Sequence, residues 1–333
     1  MEKSVAYLKF PFFRGRRIRK SSWIRNLVSE SDISINDLIQ PIFVRDEKVS
    51  DKVIGNMPDL KTFSLKNISK EVEELSKLGI NAIALFPVIH KSQKSLNAKE
   101  AINPENIICK CLRLLRKEFP DLGIICDIAL DPFTNSGHDG ILNKFGEVDN
   151  DKTIKVLSQM SINFVKSGCE IIAPSDMMDG RICHIRKKLE EQKYTDITII
   201  SYAAKFSSQF YGPFRDIIGN EKKNINKDSY QLNSKNRKEA IKDALADISE
   251  GADILMIKPA CYYLDIVRDL KELSFLPIAA YQVSSEYYMI KIGAKNNIFN
   301  YKKTVLESLI CIKRAGADMI FSYFSKDVAK WLL

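Results

Sequence analysis

The segment EGADILMIKP, residues 250–259, carries the pattern that decides the fold. A glycine follows a helical stretch, an acidic or amide residue comes soon after (here Asp253), and an unbroken apolar run then ends at Lys258. The same grammar recurs in LGINAIALFP (78–87), SGCEIIAPSD (167–176) and AGADMIFSYF (315–324), with Gly79, Gly168 and Gly316 in the matching place. Glycine closes a helix in the left-handed conformation without a Cβ penalty. Each segment therefore reads as a helix end that delivers a buried strand.

Working outward, eight short runs rich in Ile, Val, Leu and Ala stand at 38–44, 82–87, 123–127, 171–173, 198–201, 254–257, 278–280 and 319–321. They are continuously apolar rather than alternating, as parallel strands covered on both faces must be. Stretches of helical period lie between most of them, at 69–78, 107–118, 153–167, 181–192, 237–249 and 302–314. Eight strand–helix repeats predict an α/β protein, a (β/α)8 TIM barrel over residues 36–333. An open dinucleotide-binding sheet would favour GxGxxG after its first strand, and none follows 38–44. Residues 1–35 precede the barrel and interleave Arg and Lys with Phe and Trp in FPFFRGRRIRKSSWIRNLV (10–28). They read as an arm that packs on a neighbouring subunit. Residues 206–236 are irregular and polar, and a stretch that long in a barrel reads as an active-site lid.

Composition narrows the class. With 45% apolar and 9% aromatic residues among 333, the chain can bury a large core, which excludes a disordered polymer. The 51 basic against 42 acidic residues leave a net charge of +9, ordinary for lysine-rich helix surfaces, and the expectation is a protein that binds neither nucleic acid nor membrane. Seven scattered cysteines without a CxxC pair point to reduced thiols. No signal-peptide pattern and no run of ~18 apolar residues is present, so a cytoplasmic location is expected.

In such a barrel the chemistry sits where strands end. Those positions hold Asp127, then Asp131, His138 and Asp139; Ser175 and Asp176; Tyr202 and Lys205; Lys258; Gln282 and Ser284; and Tyr323. A lysine at an apolar strand end loses hydration, its pKa falls, and a neutral nucleophilic amine becomes available for a Schiff base. Lys205 and Lys258 end consecutive strands, so each ammonium is expected to depress the other. The Asp-rich loop 126–140 offers hard oxygen donors and one possible thiolate, Cys126, a poor basis for zinc. Arg215 and Lys227, in the lid, are suited to clamp a substrate carboxylate. A lyase with one catalytic lysine, or a nucleic-acid-binding protein gripping through the basic arm, are the rival readings at this level.

The strings DIALDPFTNSGHDG (127–140), APSDMMDGR (173–181), SYAAKFSSQFYGPFRD (201–216), KDSYQLN (227–233), LMIKPACYYLDIVRD (255–269), YQVSSEY (281–287) and RAGADMIFSYF (314–324) together resemble the porphobilinogen synthase (5-aminolevulinate dehydratase) family. The resemblance runs almost end to end. It implies condensation of two 5-aminolevulinate molecules to a pyrrole in tetrapyrrole (heme) biosynthesis, in a homo-octamer. It implies that Lys258 and Lys205 form the Schiff bases of the A and P sites. Arg215 and Lys227, with Gln231, would hold the A-site carboxylate, and Ser284 and Tyr323 the P-site one. Asp127 would sit near the lysines, with Tyr202 and Phe214 lining the pocket. Zinc-dependent members carry three cysteines where this chain has Ala129, Asp131 and Asp139, which implies a zinc-independent enzyme whose Asp131 and Asp139 serve the substrate amine. Asp243 stands at the position of a glutamate that binds an allosteric Mg2+ in many members, so magnesium stimulation is expected. Ser285 replaces a usual glycine.

Overall fold

In the computed structural model, residues 9–49, 60–218 and 225–333 are described. Residues 1–8 of the expected arm and 219–224 of the expected lid lie outside them. The junction glycines do what their sequence context asks. Gly79, Gly168, Gly251 and Gly316 have φ of +78°, +105°, +101° and +128°. At Gly316 an added Cβ would also stand 2.7 Å from Lys271 Cγ, so conformation and space both require glycine there.

These junctions feed every second one of eight strands, β1 (Leu38–Arg45), β2 (Ala82–Val88), β3 (Gly123–Ile128), β4 (Ile171–Pro174), β5 (Thr198–Lys205), β6 (Ile254–Lys258), β7 (Ile278–Gln282) and β8 (Met319–Ser322), namely β2, β4, β6 and β8. Every neighbour pairs in parallel, and β8 returns to β1 through Leu38 opposite Ile320 and Ile39 opposite Phe321. The sheet therefore closes as a (β/α)8 barrel. A two-residue strand, Thr62–Phe63, pairs on the side of β1. All eight residues of β1 are buried, Gln40 and Arg45 among its otherwise apolar side chains.

The helices extend beyond their apolar periodicity where a cap supports them. Asp149 and Asn300 accept hydrogen bonds from the backbone of Lys152 and Lys303, so the helices expected at 153–167 and 302–314 span Asn150–Lys166 and Tyr301–Ala315. Helices Leu264–Leu273 and Ser284–Lys295 complete the repeats after β6 and β7. Strand β5 runs on to Lys205 instead of ending at Ser201.

Close contacts divide the chain into two units, Met1–Asp32 and Ile33–Leu333. Its described part holds a 3-10 turn, Gly15–Ile18, and a helix, Ser22–Leu27, neither with a buried residue. Phe12, Trp23 and Leu27 are exposed. Among the described residues no helix is long and apolar enough to cross a membrane.

Candidate active site

Lys205 and Lys258 are register partners at the carboxyl ends of β5 and β6. Their pairing depends on an irregularity: Ser201 lies opposite Leu255 but Ala204 lies opposite Ile257, so β5 carries one extra residue. Side chains alternate along a strand, and a one-residue slip turns the following ones to the other face. Tyr202 and Lys205, an odd number apart, consequently both face the interior beside Lys258. Each lysine is only 6% exposed.

The two nitrogens have different surroundings. Among the described residues Lys258 Nζ makes no side-chain hydrogen bond and is boxed by the rings of Tyr281 at 4.3 Å, Tyr202 at 5.2 Å, Phe214 at 5.2 Å and Tyr211 at 5.5 Å. Burial, followed by the charge of Lys205, lowers its pKa to about 7, although the ring faces favour the ammonium. Half the population is then a neutral amine near pH 7. Lys205 Nζ is engaged instead, donating to Asp139 Oδ2 at 3.2 Å and, by a short contact, to the Ser175 carbonyl. The expected lowering is thus seen at Lys258.

The Asp-rich loop meets the lid. Lys227 donates to Asp139 Oδ1 at 2.7 Å and lies 3.4 Å from Asp131 Oδ2, and Gln231 Nε2 donates to Asp139 Oδ2 at 3.2 Å. Burial alone would raise the Asp139 carboxyl, but Lys205 and Lys227 outweigh it and hold it well below the usual range. Burial dominates at Asp131, whose pKa is raised. The Lys227 ammonium is destabilised by burial yet held by Asp139 and Asp131, with its pKa raised. Tyr230 fastens the same seam: its hydroxyl accepts from Asp139 N at 3.3 Å and lies 3.2 Å from His138 Nδ1.

Asp127, in β3, faces both lysines. Burial raises its carboxyl to about 7, and its Oδ1 has no hydrogen-bond partner. The Tyr202 hydroxyl is likewise buried and unpartnered, its pKa pushed well above the ordinary value by burial. Arg215 and Phe214, on the short helix Gly212–Ile217, line the same cavity as Lys258, Lys205, Lys227 and Asp127. Its free volume is about 20 Å³, room for a single water, so lid and loop side chains fill the space between the lysines. Ser284 and Tyr323 approach from the side. Ser284 Oγ accepts from Phe214 N at 3.1 Å, and the Tyr323 hydroxyl lies 3.2 Å from that of Tyr281. Phe43 stands between them, its ring 5.9 Å from Phe214 and 6.2 Å from Tyr323.

Three sequence candidates lie elsewhere. Asp176 accepts from Met178 N at 2.8 Å and lies 3.7 Å from Arg181 Nε. Gln282 bonds to Ser322 and Ser308 and braces β7 against β8. Asp243 is half-buried on the helix Arg237–Ser249 and lines a separate cavity of about 1280 Å³ with Glu239 and Asp179. Burial raises its carboxyl, and Glu239 and Asp247 add to the effect. Sequence reasoning missed Tyr281, Tyr211, Phe86 and Tyr230. Tyr281 is one residue short of the strand end, where alternation along AAYQ could have placed it inward, whereas Tyr211 and Tyr230 sit in irregular chain that carries no period.

Ala129, Asp131 and Asp139 offer no thiolate, and Cys126 is buried with its pKa raised far above the usual thiol value by burial. Among the described residues no group of three His, Cys, Asp or Glu side chains is placed to hold a metal ion.

Residues 12–331 match the family model of delta-aminolevulinic acid dehydratase. The delta-aminolevulinic acid dehydratase of Bradyrhizobium diazoefficiens is 44% identical over 320 residues, 96% of this chain and 90% of that protein. The Helicobacter pylori enzyme of the same name is 42% identical over 96% of this chain and 99% of its own length. The crystal structure of the Toxoplasma gondii enzyme, also called porphobilinogen synthase and bound to its reaction product porphobilinogen, superposes with a TM-score of 0.93 at 41% identity, covering 96% of this chain and 91% of that one. A family match over residues 12–331, with relatives above 40% identical over nearly the whole chain, places this chain in the delta-aminolevulinic acid dehydratase family.

Proposed function

We propose that this chain makes porphobilinogen from two 5-aminolevulinate molecules through imines on both Lys258 and Lys205, without zinc. The enzyme is a lyase of tetrapyrrole biosynthesis. The observation that carries the two-imine reading is the register pairing of the lysines at one cavity. A lyase with one catalytic lysine would leave Lys205, buried at the same level, only its contacts with Asp139 and the Ser175 carbonyl.

The neutral Lys258 amine attacks the ketone carbon of one substrate, and water leaves as the imine forms. Lys205 takes the other ketone in the same way. A protonated imine withdraws electrons from the adjacent carbon, so a proton can leave there and the resulting enamine can form the carbon–carbon bond. That enamine carbon adds to the imine carbon held by Lys205, and Lys205 then leaves as its amine as a proton departs from the neighbouring carbon. The free amine of the P-site substrate adds to the imine carbon held by Lys258 and expels that lysine as its amine, and loss of a last carbon-bound proton completes the pyrrole. Asp127, poised near neutrality and facing both lysines, suits taking and returning the proton in these steps. Arg215 and Lys227, with Gln231, supply donors to the A-site carboxylate, and Ser284 and Tyr323 to the P-site one. Lys227 would exchange its aspartate partners for the substrate as the pocket opens. Asp131 and Asp139, released from that contact, would receive the substrate amine. Tyr202 and Phe214 wall the pocket and exclude water.

Asp243 and Glu239, one helical turn apart on a wide cavity, fit a Mg2+ that keeps most of its waters, since this ion often takes only one or two protein carboxylates. Bound there, it would act through lid residues within 225–232, which line the same cavity, and not on bond-making itself. The exposed aromatic and basic arm suits packing on a second copy, in keeping with an octamer.

The test is pyrrole formation from 5-aminolevulinate with EDTA, with Mg2+ and with Zn2+, combined with borohydride trapping and peptide mapping. Pyrrole in all three, greatest with Mg2+, and mass on both lysines are expected. Activity lost to a zinc-selective chelator and restored only by zinc refutes the metal reading, and mass on Lys258 alone refutes the double imine.

A further inference from the structure

We infer that Glu286 is a positioning residue whose carboxylate ties the backbone after Lys258 to the helix start that presents Ser284, and so sets the spacing of the two substrate subsites. The inference rests on the two-subsite reading above and adds a residue to it.

Glu286 is 3% exposed, in the first turn of the helix Ser284–Lys295. Its Oε1 accepts from Cys261 N at 2.7 Å and its Oε2 from Val283 N at 2.5 Å. Cys261 follows Lys258 by three residues, and Val283 immediately precedes Ser284. The circuit closes on the other side of the pocket. Ser284 Oγ accepts from Phe214 N at 3.1 Å, and the Phe214 ring lies 5.2 Å from Lys258 Nζ. One carboxylate thus joins the Lys258 strand end, the Ser284 helix and, through Ser284, the lid.

Capping alone does not explain this choice. A serine or aspartate at the helix start satisfies a helix amide without burying a charge, whereas burying a carboxylate costs several kcal/mol unless its oxygens are filled. Among the described residues no ion pair offsets that cost at Glu286. What the side chain offers is two acceptors far enough from the backbone to reach two separate elements. Tyr211, Tyr263 and Cys261, the titratable groups that face it, are neutral, and the Cys261 thiol and the Ala260 amide add hydrogen bonds on the Lys258 side of the same tether. Burial raises the Glu286 carboxyl to about 7, as expected where amides and not cations hold it. Glutamine has the same shape but one acceptor, and would turn its NH2 against an amide N–H.

The full-length wild type, Glu286→Gln and Glu286→Asp are compared by steady-state pyrrole formation and by borohydride trapping of 5-aminolevulinate at Lys258 and Lys205. Since an ångström of misplacement can cost about a hundredfold in rate, kcat is expected to fall about a hundredfold in the Gln variant. The substrate concentration for half-maximal trapping should stay within about threefold of wild type, because each imine forms locally while only the joint step needs the spacing. The Asp variant keeps both acceptors on a shorter arm and should lose about tenfold. If the Gln chain does not fold, the Asp variant decides alone: reduced kcat with intact trapping supports the tether, and wild-type kcat overturns it. A Gln variant with kcat within about twofold of wild type, or one whose trapping fails in step with kcat, also overturns it. An Asp variant no better than Gln does the same. Absence of trapped imine in wild type overturns the lysine reading and the tether together, which separates the two failures.

Discussion

Replacing Lys258 by methionine should abolish turnover and yet stabilise the protein, by an amount that depends on pH. In the unfolded chain the lysine titrates near 10.5, and in the folded chain near 7. Between these values the unfolded state binds a proton that the folded state does not, so this group makes stability rise with pH. Its destabilisation is complete below about pH 7 and disappears toward pH 10.5. Each pKa unit is worth ~1.4 kcal/mol, so the cost is about 5 kcal/mol at pH 6 and about 2 kcal/mol at pH 9. Methionine is close in length and uncharged, and its burial adds a gain that is the same at both values. The variant should therefore exceed wild type in denaturant unfolding free energy at both pH values, by ~3 kcal/mol more at pH 6 than at pH 9. Equal differences at the two pH values would show that Lys258 enters the folded state without a lowered pKa, and the account of its nucleophilicity would go with it.

Further outcomes follow from the same geometry. The acid side of the kcat/KM profile should bend near pH 7 in wild type, because the attacking amine of Lys258 is protonated below it; a bend below pH 5 would contradict this. Arg181 is buried against Asp247, with Nη2 to Oδ2 at 3.1 Å, and also donates to the Ser201 hydroxyl and the Tyr202 carbonyl at the irregular turn of β5. Asp247→Asn should cost about 3–5 kcal/mol, read as a lower denaturation midpoint. Asp243→Asn should remove magnesium stimulation while leaving the EDTA-treated rate within about twofold of wild type, since this residue lies outside the lysine cavity. Tyr230→Phe, which removes the hydroxyl between lid and Asp139, should raise KM more than it lowers kcat.

Much of this molecule is legible before it folds. The four helix–glycine–strand junctions and the eight continuous apolar runs dictate a parallel barrel because only strands covered on both faces are written that way. The lysines are legible for a related reason: two cations at the ends of consecutive apolar strands are brought together at one end of a barrel. The partial misses have physical causes too. Helix starts moved by a few residues where Asp149 and Asn300 capped them, a local hydrogen bond that periodicity does not record. Tyr211 and Tyr230 were invisible because irregular chain has no facing rule.

What sequence alone determined is the class of fold, the strand-end chemistry and the lack of thiols at Ala129, Asp131 and Asp139. Tertiary structure decided which of those groups meet. The extra residue in β5 turns Lys205 inward beside Lys258, and closure of the barrel brings Asp139, far from either in the chain, between Lys205 and Lys227. Local propensity and burial pattern act over a few residues and are therefore written into the chain in order. A lowered pKa or a shared carboxylate depends on distances across the barrel, which exist only once the strands have closed.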